Sequence, residues 1–139
     1  MGEALWLLAD ATIDLARDRY ARTTHPEGTV PALWVMAEFR SLVAHDPGLR
    51  HLLTEEPVVA MRLLLDARGW VQPRIVARQA ELFAVDVANG ALAPVVDLGT
   101  LSYAVVRLSE AFLYADTVAS GTADLQAATT LINALVTAR

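Results

Sequence analysis

The sequence predicts an all-α protein, a single-domain helical bundle of about seven helices. Three observations predict it. Apolar residues recur with the 3.6-residue period of a helix along almost the whole chain, and no stretch shows a convincing strand pattern. Proline and glycine break that pattern at intervals of about one helix. The 139 residues suit one domain. A chain near that size buries roughly two-thirds of its unfolded surface, enough for a real core.

The first helix is expected from about Glu3 to Thr23. Leu5, Leu8, Thr12 and Leu15 make one stripe, and Trp6, Ala9, Ile13, Ala16 and Tyr20 its neighbour. Together they form a wide buried face. No Ser, Thr, Asp or Asn precedes this helix as a cap, so it reads as cut within an element. Arg17, Arg19 and Arg22 interleave with Asp14 and Asp18, the pattern of a solvated face with i,i+4 pairing. "THPEGTVP" then breaks the chain. Thr29 is expected to cap the second helix, with Pro31 in its first turn. That helix carries Leu33, Trp34, Met36, Ala37, Phe39 and Val43 and stops at "HDPG".

A short piece runs through Leu53. Pro57 opens a helix through Asp66, ended by Gly69. Pro73 lies in the first turn of the next, which reaches Asn89 and stops at Gly90. After the linker "ALAPVVD", Asp97 caps a helix running to about Ala119. Gly121 separates it from a last helix, about Ala123 to Thr137, with no charged residue from Leu125 to Ala138.

Composition narrows the function. Hydrophobic residues make up 55% and the mean hydropathy is +0.38, both high for a soluble monomer. No apolar run approaches the ~18 residues of a membrane span. The excess is expected in an oligomer interface or an internal pocket. A net charge of -5 and a pI of about 5.0 argue against this segment gripping a phosphate backbone. All 11 basic residues are Arg, which reads as GC-rich coding. With no Cys there is no disulfide or thiolate framework. Met1 is not followed by a signal-peptide pattern, so a cytoplasmic location is expected.

His25, His45 and His51 share no helix face, and no carboxylate pattern completes a metal site. There is no GxSxG, phosphate loop or Cys/His pair. Neither metal, cofactor nor enzymatic activity is expected.

The helix "LSYAVVRLSEAFLYAD" at 101–116 carries the most information. At about 100° per residue, Tyr103, Arg107, Glu110 and Tyr114 fall within roughly a 60° arc. Ala104, Leu108, Ala111 and Ala115 form a second arc of mostly small residues. Leu101, Val105 and Phe112 lie opposite the first and are expected in the core. Ser102, Ser109 and Asp116 form a narrow fourth seam, the expected solvent side. The Tyr-Arg-Glu-Tyr arc suits a cavity for a small amphipathic ligand, since pockets are mostly apolar with a few convergent polar groups. The alanine arc, with the uncharged last helix, suits a helical interface: two helices from each of two subunits in a four-helix bundle.

Short helices, then "LAPVVDLGTLSYAVVRLSEAFLYAD", then an uncharged last helix, resemble the C-terminal half of TetR-type transcriptional regulators. "GEALWLLADATI" resembles the segment after the helix-turn-helix in the quorum-signal-degradation (QsdR-like) subgroup. The resemblance covers nearly the whole chain. It implies a ligand-binding and dimerisation domain spanning 1–139, a homodimer formed through the last two helices, and a small-molecule effector, lactone-like in that subgroup. Its interface would use Ala104, Leu108, Ala111, Ala115, Leu131 and Leu135. Its pocket would draw on Trp34, Phe39, Tyr103, Arg107, Glu110 and Tyr114. No basic recognition helix occurs in the 139 residues. DNA would therefore be reached only through an N-terminal domain missing here, and the chain is expected to be a truncated piece. A stand-alone helical ligand-binding or interaction module and a small hydrolase using Glu110 are the competing readings.

Overall fold

The computed structural model describes residues 1–138. Its helices are α1 (Gly2–Ala21), α2 (Pro31–Ala44), α3 (Pro47–Glu55), α4 (Pro57–Leu65), α5 (Gln72–Ala88), α6 (Leu98–Glu110), α7 (Asp116–Ser120) and α8 (Leu125–Val136). A π-helical turn, Ala111–Ala115, joins α6 to α7. These three run on as one rod, so the described residues form seven rods in all. None is long and apolar enough to cross a membrane.

Local chemistry explains most of the boundaries. Helices α2 to α5 each carry a proline in the first turn, where its missing N–H has no intrahelical partner to lose. Asp46, Asp97 and Asp124 each accept a hydrogen bond from a first-turn N–H, at 2.8, 2.8 and 3.0 Å. The cap expected at Asp97 is present. Gly90 and Gly121, at φ +74° and +81°, take the left-handed conformation that stops α5 and α7.

Thr29 does not cap α2. Its hydroxyl donates to the Pro26 carbonyl at 2.7 Å, and Val30 holds the cap position without a side-chain bond. The buried carboxylate of Asp86, on α5, accepts instead from the Ala32 N–H at 2.7 Å. The start of α2 lies inside the protein, so a tertiary neighbour meets its orphan donor.

Helix α2 is the axis of the bundle. It packs against α1, α5 and α8, while α6 packs on α5 and α8. Two apolar clusters meet along it. One joins Val35, Met36, Phe39 and Val43 to Ile13, Leu64, Val106, Leu113 and Tyr114. The other joins Val30, Ala32 and Leu33 to Phe83, Leu101, Val105, Ile132 and Val136. Leu101 and Val105 are in the core as expected, and Phe112 is half-buried.

The charges of α1 tie it to its neighbours. Arg78 on α5 bridges Asp10 and Asp14, and Arg19 pairs with Glu38 of α2 at 2.6 Å. The i,i+4 pairs expected along α1 are not among the ion pairs of the described residues: Asp14 and Arg19 pair across to α5 and α2 instead, and Arg17, Asp18 and Arg22 are in none of those pairs.

Replacing Asp86 with Ala should cost about 1–3 kcal/mol by urea denaturation, since it strands the buried Ala32 donor. Thr29→Ala should stay within about 0.5 kcal/mol.

Candidate functional site

The π turn decides which side chains of the long rod face inward. Its Asp116 N–H reaches back five residues to the Ala111 carbonyl. Each such wider turn rotates the following side chains by less per residue, so the helix lags a regular one by roughly a quarter turn over the segment. Tyr103 stands before it and is 47% exposed; Tyr114 stands within it and is 5% exposed. The turn thus separates Tyr114 from Tyr103; Glu110, at the end of α6 and before the turn, is already buried.

Phe39 and Tyr114 border a mostly apolar chamber of about 200 Å³. Leu5, Leu8, Ala9 and Thr12 of α1 close one side, and Val43, Leu49 and Leu64 another. Leu8 and Leu15 are about half exposed and form its rim. Beyond Phe39, Leu64 and Tyr114 lies a smaller compartment of about 20 Å³, reaching Arg40, Ser109 and Glu110. The three shared residues stand between the two spaces and border both.

Arg107 and Tyr103 lie outside both spaces. The Arg107 guanidinium donates to Glu110 at 3.0 Å, to the Leu65 carbonyl at 3.1 Å and to the Tyr103 hydroxyl at 3.1 Å. It braces α6 against the end of α4 and holds Glu110 from the outer side. Glu110 is 7% exposed and borders the small compartment. Burial raises its pKa above the ordinary carboxylate range, and Arg107 pulls it part of the way back. The Tyr114 phenol is also raised, by burial and then by Glu110. Trp34 packs edge-on against Tyr20 and His25, which stack on each other at 4.0 Å, and borders a separate groove with Thr129 and Asn133 of α8. Of the six expected pocket residues, Phe39 and Tyr114 line the main chamber and Glu110 the small one. Trp34, Tyr103 and Arg107 line neither.

The expected solvent seam is also corrected. Ser102 is fully buried and Ser109 half-buried. The Ser109 hydroxyl donates to the Val105 carbonyl at 2.9 Å, the back-bonding that lets serine sit inside a helical core. The side facing water is the alanine arc. Ala111 and Ala115 are exposed, and Ala104 and Leu108 are half-buried. On α8, Ala128, Ile132 and Val136 face the core, while Leu131 is 52% and Leu135 40% exposed.

Arg40 is the residue that sequence reading missed. It is 1% exposed and has no ion pair among the described residues. Its two terminal nitrogens donate weakly to Ser109 and Thr129, both at 3.4 Å, and its Nε has no partner. Burial pushes its pKa down to about 10. The available signal was its register: Leu33, Met36, Arg40 and Val43 form one buried stripe, with the arginine at an apolar position.

A raised folded-state pKa means that Glu110 contributes most to stability below about 4.5, its ordinary value, and that this contribution is lost as pH rises through the folded value. Glu110→Gln should therefore gain on the native protein in urea midpoint between pH 4.5 and 7. Both proteins keep a further slope of the same sign from Asp86, also raised by burial, so it cancels in the comparison.

The comparisons with known proteins agree with this architecture. No curated protein is similar enough in sequence to count as a match. The solved structure of the R. erythropolis transcriptional repressor QsdR, from the TetR family, superposes with a TM-score of 0.78 at 25% identity, covering 94% of this chain and 69% of that one. The family described as "Tetracyclin repressor-like, C-terminal domain" matches residues 27–137. The chain belongs to that family, as a C-terminal domain of TetR-type transcriptional regulators.

Proposed function

We propose that the chain is the effector-binding and homodimerisation domain of a transcriptional repressor, taking a small amphipathic ligand such as a lactone. The observation that carries this reading is the apolar chamber bordered by Phe39 and Tyr114. Its volume of about 200 Å³ lies below the usual ~300–1,000 Å³ of small-molecule pockets, so it suits a short ligand. A methylene is comparable in size to a water, roughly 30 Å³ in the liquid, so about seven carbons fit. The family supports the same role. Binding to DNA would belong to an N-terminal domain, and the whole regulator would work in the cytoplasm.

Dimerisation is proposed on the side that a single chain leaves uncovered. Leu131 and Leu135 stand in water on an uncharged helix, and Ala104, Leu108, Ala111 and Ala115 offer a low surface for close helix approach. Among the described residues no metal-ligand cluster includes Glu110, whose Oε2 is held by Arg107, and the neighbouring Ser109 hydroxyl donates to the Val105 carbonyl instead of to Glu110, so regulation is favoured over hydrolysis.

Light scattering should give a dimer, and Leu131→Glu with Leu135→Glu should give a folded monomer of unchanged helicity. A native monomer at high micromolar concentration contradicts the interface. γ-Octalactone, as a probe, should raise the thermal midpoint of the native chain. Ala9→Phe, which projects a ring into the chamber, should abolish that rise and leave the dimer intact.

A further inference from the structure

We propose that the effector is an amphipathic carboxylate whose anionic head seats on Arg40 in the small compartment while its apolar tail fills the main chamber. The inference rests on the chamber being the effector site, and it names the chemistry of what binds there.

Arg40 is a cation at a position that the fold buries among apolar side chains. A guanidinium removed from water is strongly unfavourable unless a paired charge or several good hydrogen bonds replace its hydration. Arg40 has neither among the described residues: two long bonds to hydroxyls, an unpartnered Nε, and no carboxylate within ion-pair distance. Planar guanidinium matches planar carboxylate in a two-bond fork, the pairing that best satisfies it.

Space and charge select the same head group. The compartment at Arg40 holds about 20 Å³, roughly the room of one water, so a single carboxylate oxygen reaches the guanidinium there and the rest of the head lies toward the main chamber, past Phe39, Leu64 and Tyr114; a phosphate ester would need far more space. The acid nearby does not fill the need, because Glu110 is already engaged by Arg107 at 3.0 Å. With Glu110 paired to Arg107, the Arg40 charge has no counter-ion in the small compartment; Asp46, which borders the main chamber, is the cap of α3 and accepts from the Leu49 N–H at 2.8 Å. Tyr114 borders both spaces, so its side chain stands where head and tail would join.

The same position offers a route to the proposed interface. The present partners of Arg40 are Ser109 on α6 and Thr129 on α8. A carboxylate that draws the guanidinium toward the compartment weakens both bonds. Each of the two helices that would meet the partner subunit then loses its polar tie to Arg40 of α2, while the apolar packing between them remains.

Calorimetry on the full chain, with octanoate, methyl octanoate and γ-octalactone as probes, tests this. Octanoate should bind roughly tenfold to a hundredfold more tightly than its methyl ester. Arg40→Met should lower octanoate affinity by a similar factor and leave the ester unchanged, with folding checked by circular dichroism. Arg40→Lys, which keeps the charge, should restore part of the loss. Equal binding of acid and ester by the native chain overturns the carboxylate assignment and leaves the chamber as the effector site, whatever the variants do. Binding of none of the three probes overturns both.

Discussion

A cation enclosed in an apolar bundle sets the terms for the rest of this structure. Helix α2 is surrounded by α1, α5 and α8, and half of its residues are buried. Such a helix is expected to be apolar on every side. Arg40 breaks that rule at mid-length, where neighbours must either pair it or leave room beside it. Here they do a little of each. Ser109 and Thr129 supply weak acceptors, and Phe39, Leu64 and Tyr114 stop short of closing the space. The incompletely satisfied charge and the incompletely filled core are thus one feature. Natural sequences depart from local consistency at functional sites, and the position of this departure is informative for that reason.

The second determinant is the π turn. At constant pitch, Tyr114 would share the outer side of the rod with Tyr103. One wide turn directs it into the bundle, where it becomes a wall of both spaces. The rod can then carry two roles on separate sides. Its first half braces α4 through Arg107, and its alanines stay outside. π turns are uncommon inside α-helices and recur at functional sites, because they displace side chains in this way.

How much of this the sequence disclosed follows from the range of each interaction. Helix number, order and most stops were legible because proline, glycine and aspartate act within a few residues of where they stand. Asp97 is the clearest case. The cap of α2 was not legible, because its acceptor lies 54 residues away in Asp86. The serine seam misled because a hydroxyl looks polar in sequence: Ser109 satisfies its own on the carbonyl of the preceding turn, while the fully buried Ser102 hydroxyl has no partner among the described residues. The arc of Tyr103, Arg107, Glu110 and Tyr114 rested on a fixed 100° step, which the π turn violates. Arg40 passed unnoticed because a single arginine on a helix is ordinarily a surface residue; only its place in the stripe of Met36 and Val43 marks it.

The most direct test of the account is a crystal structure of the chain with octanoate bound. The account predicts the carboxylate within hydrogen-bond distance of the Arg40 guanidinium and the tail running past Tyr114 toward Leu8. It also predicts that the Arg40 bonds to Ser109 and Thr129 are lengthened or lost. A carboxylate held instead at Arg107 on the outer side of the rod, with Arg40 still bonded to Ser109 and Thr129, would contradict it.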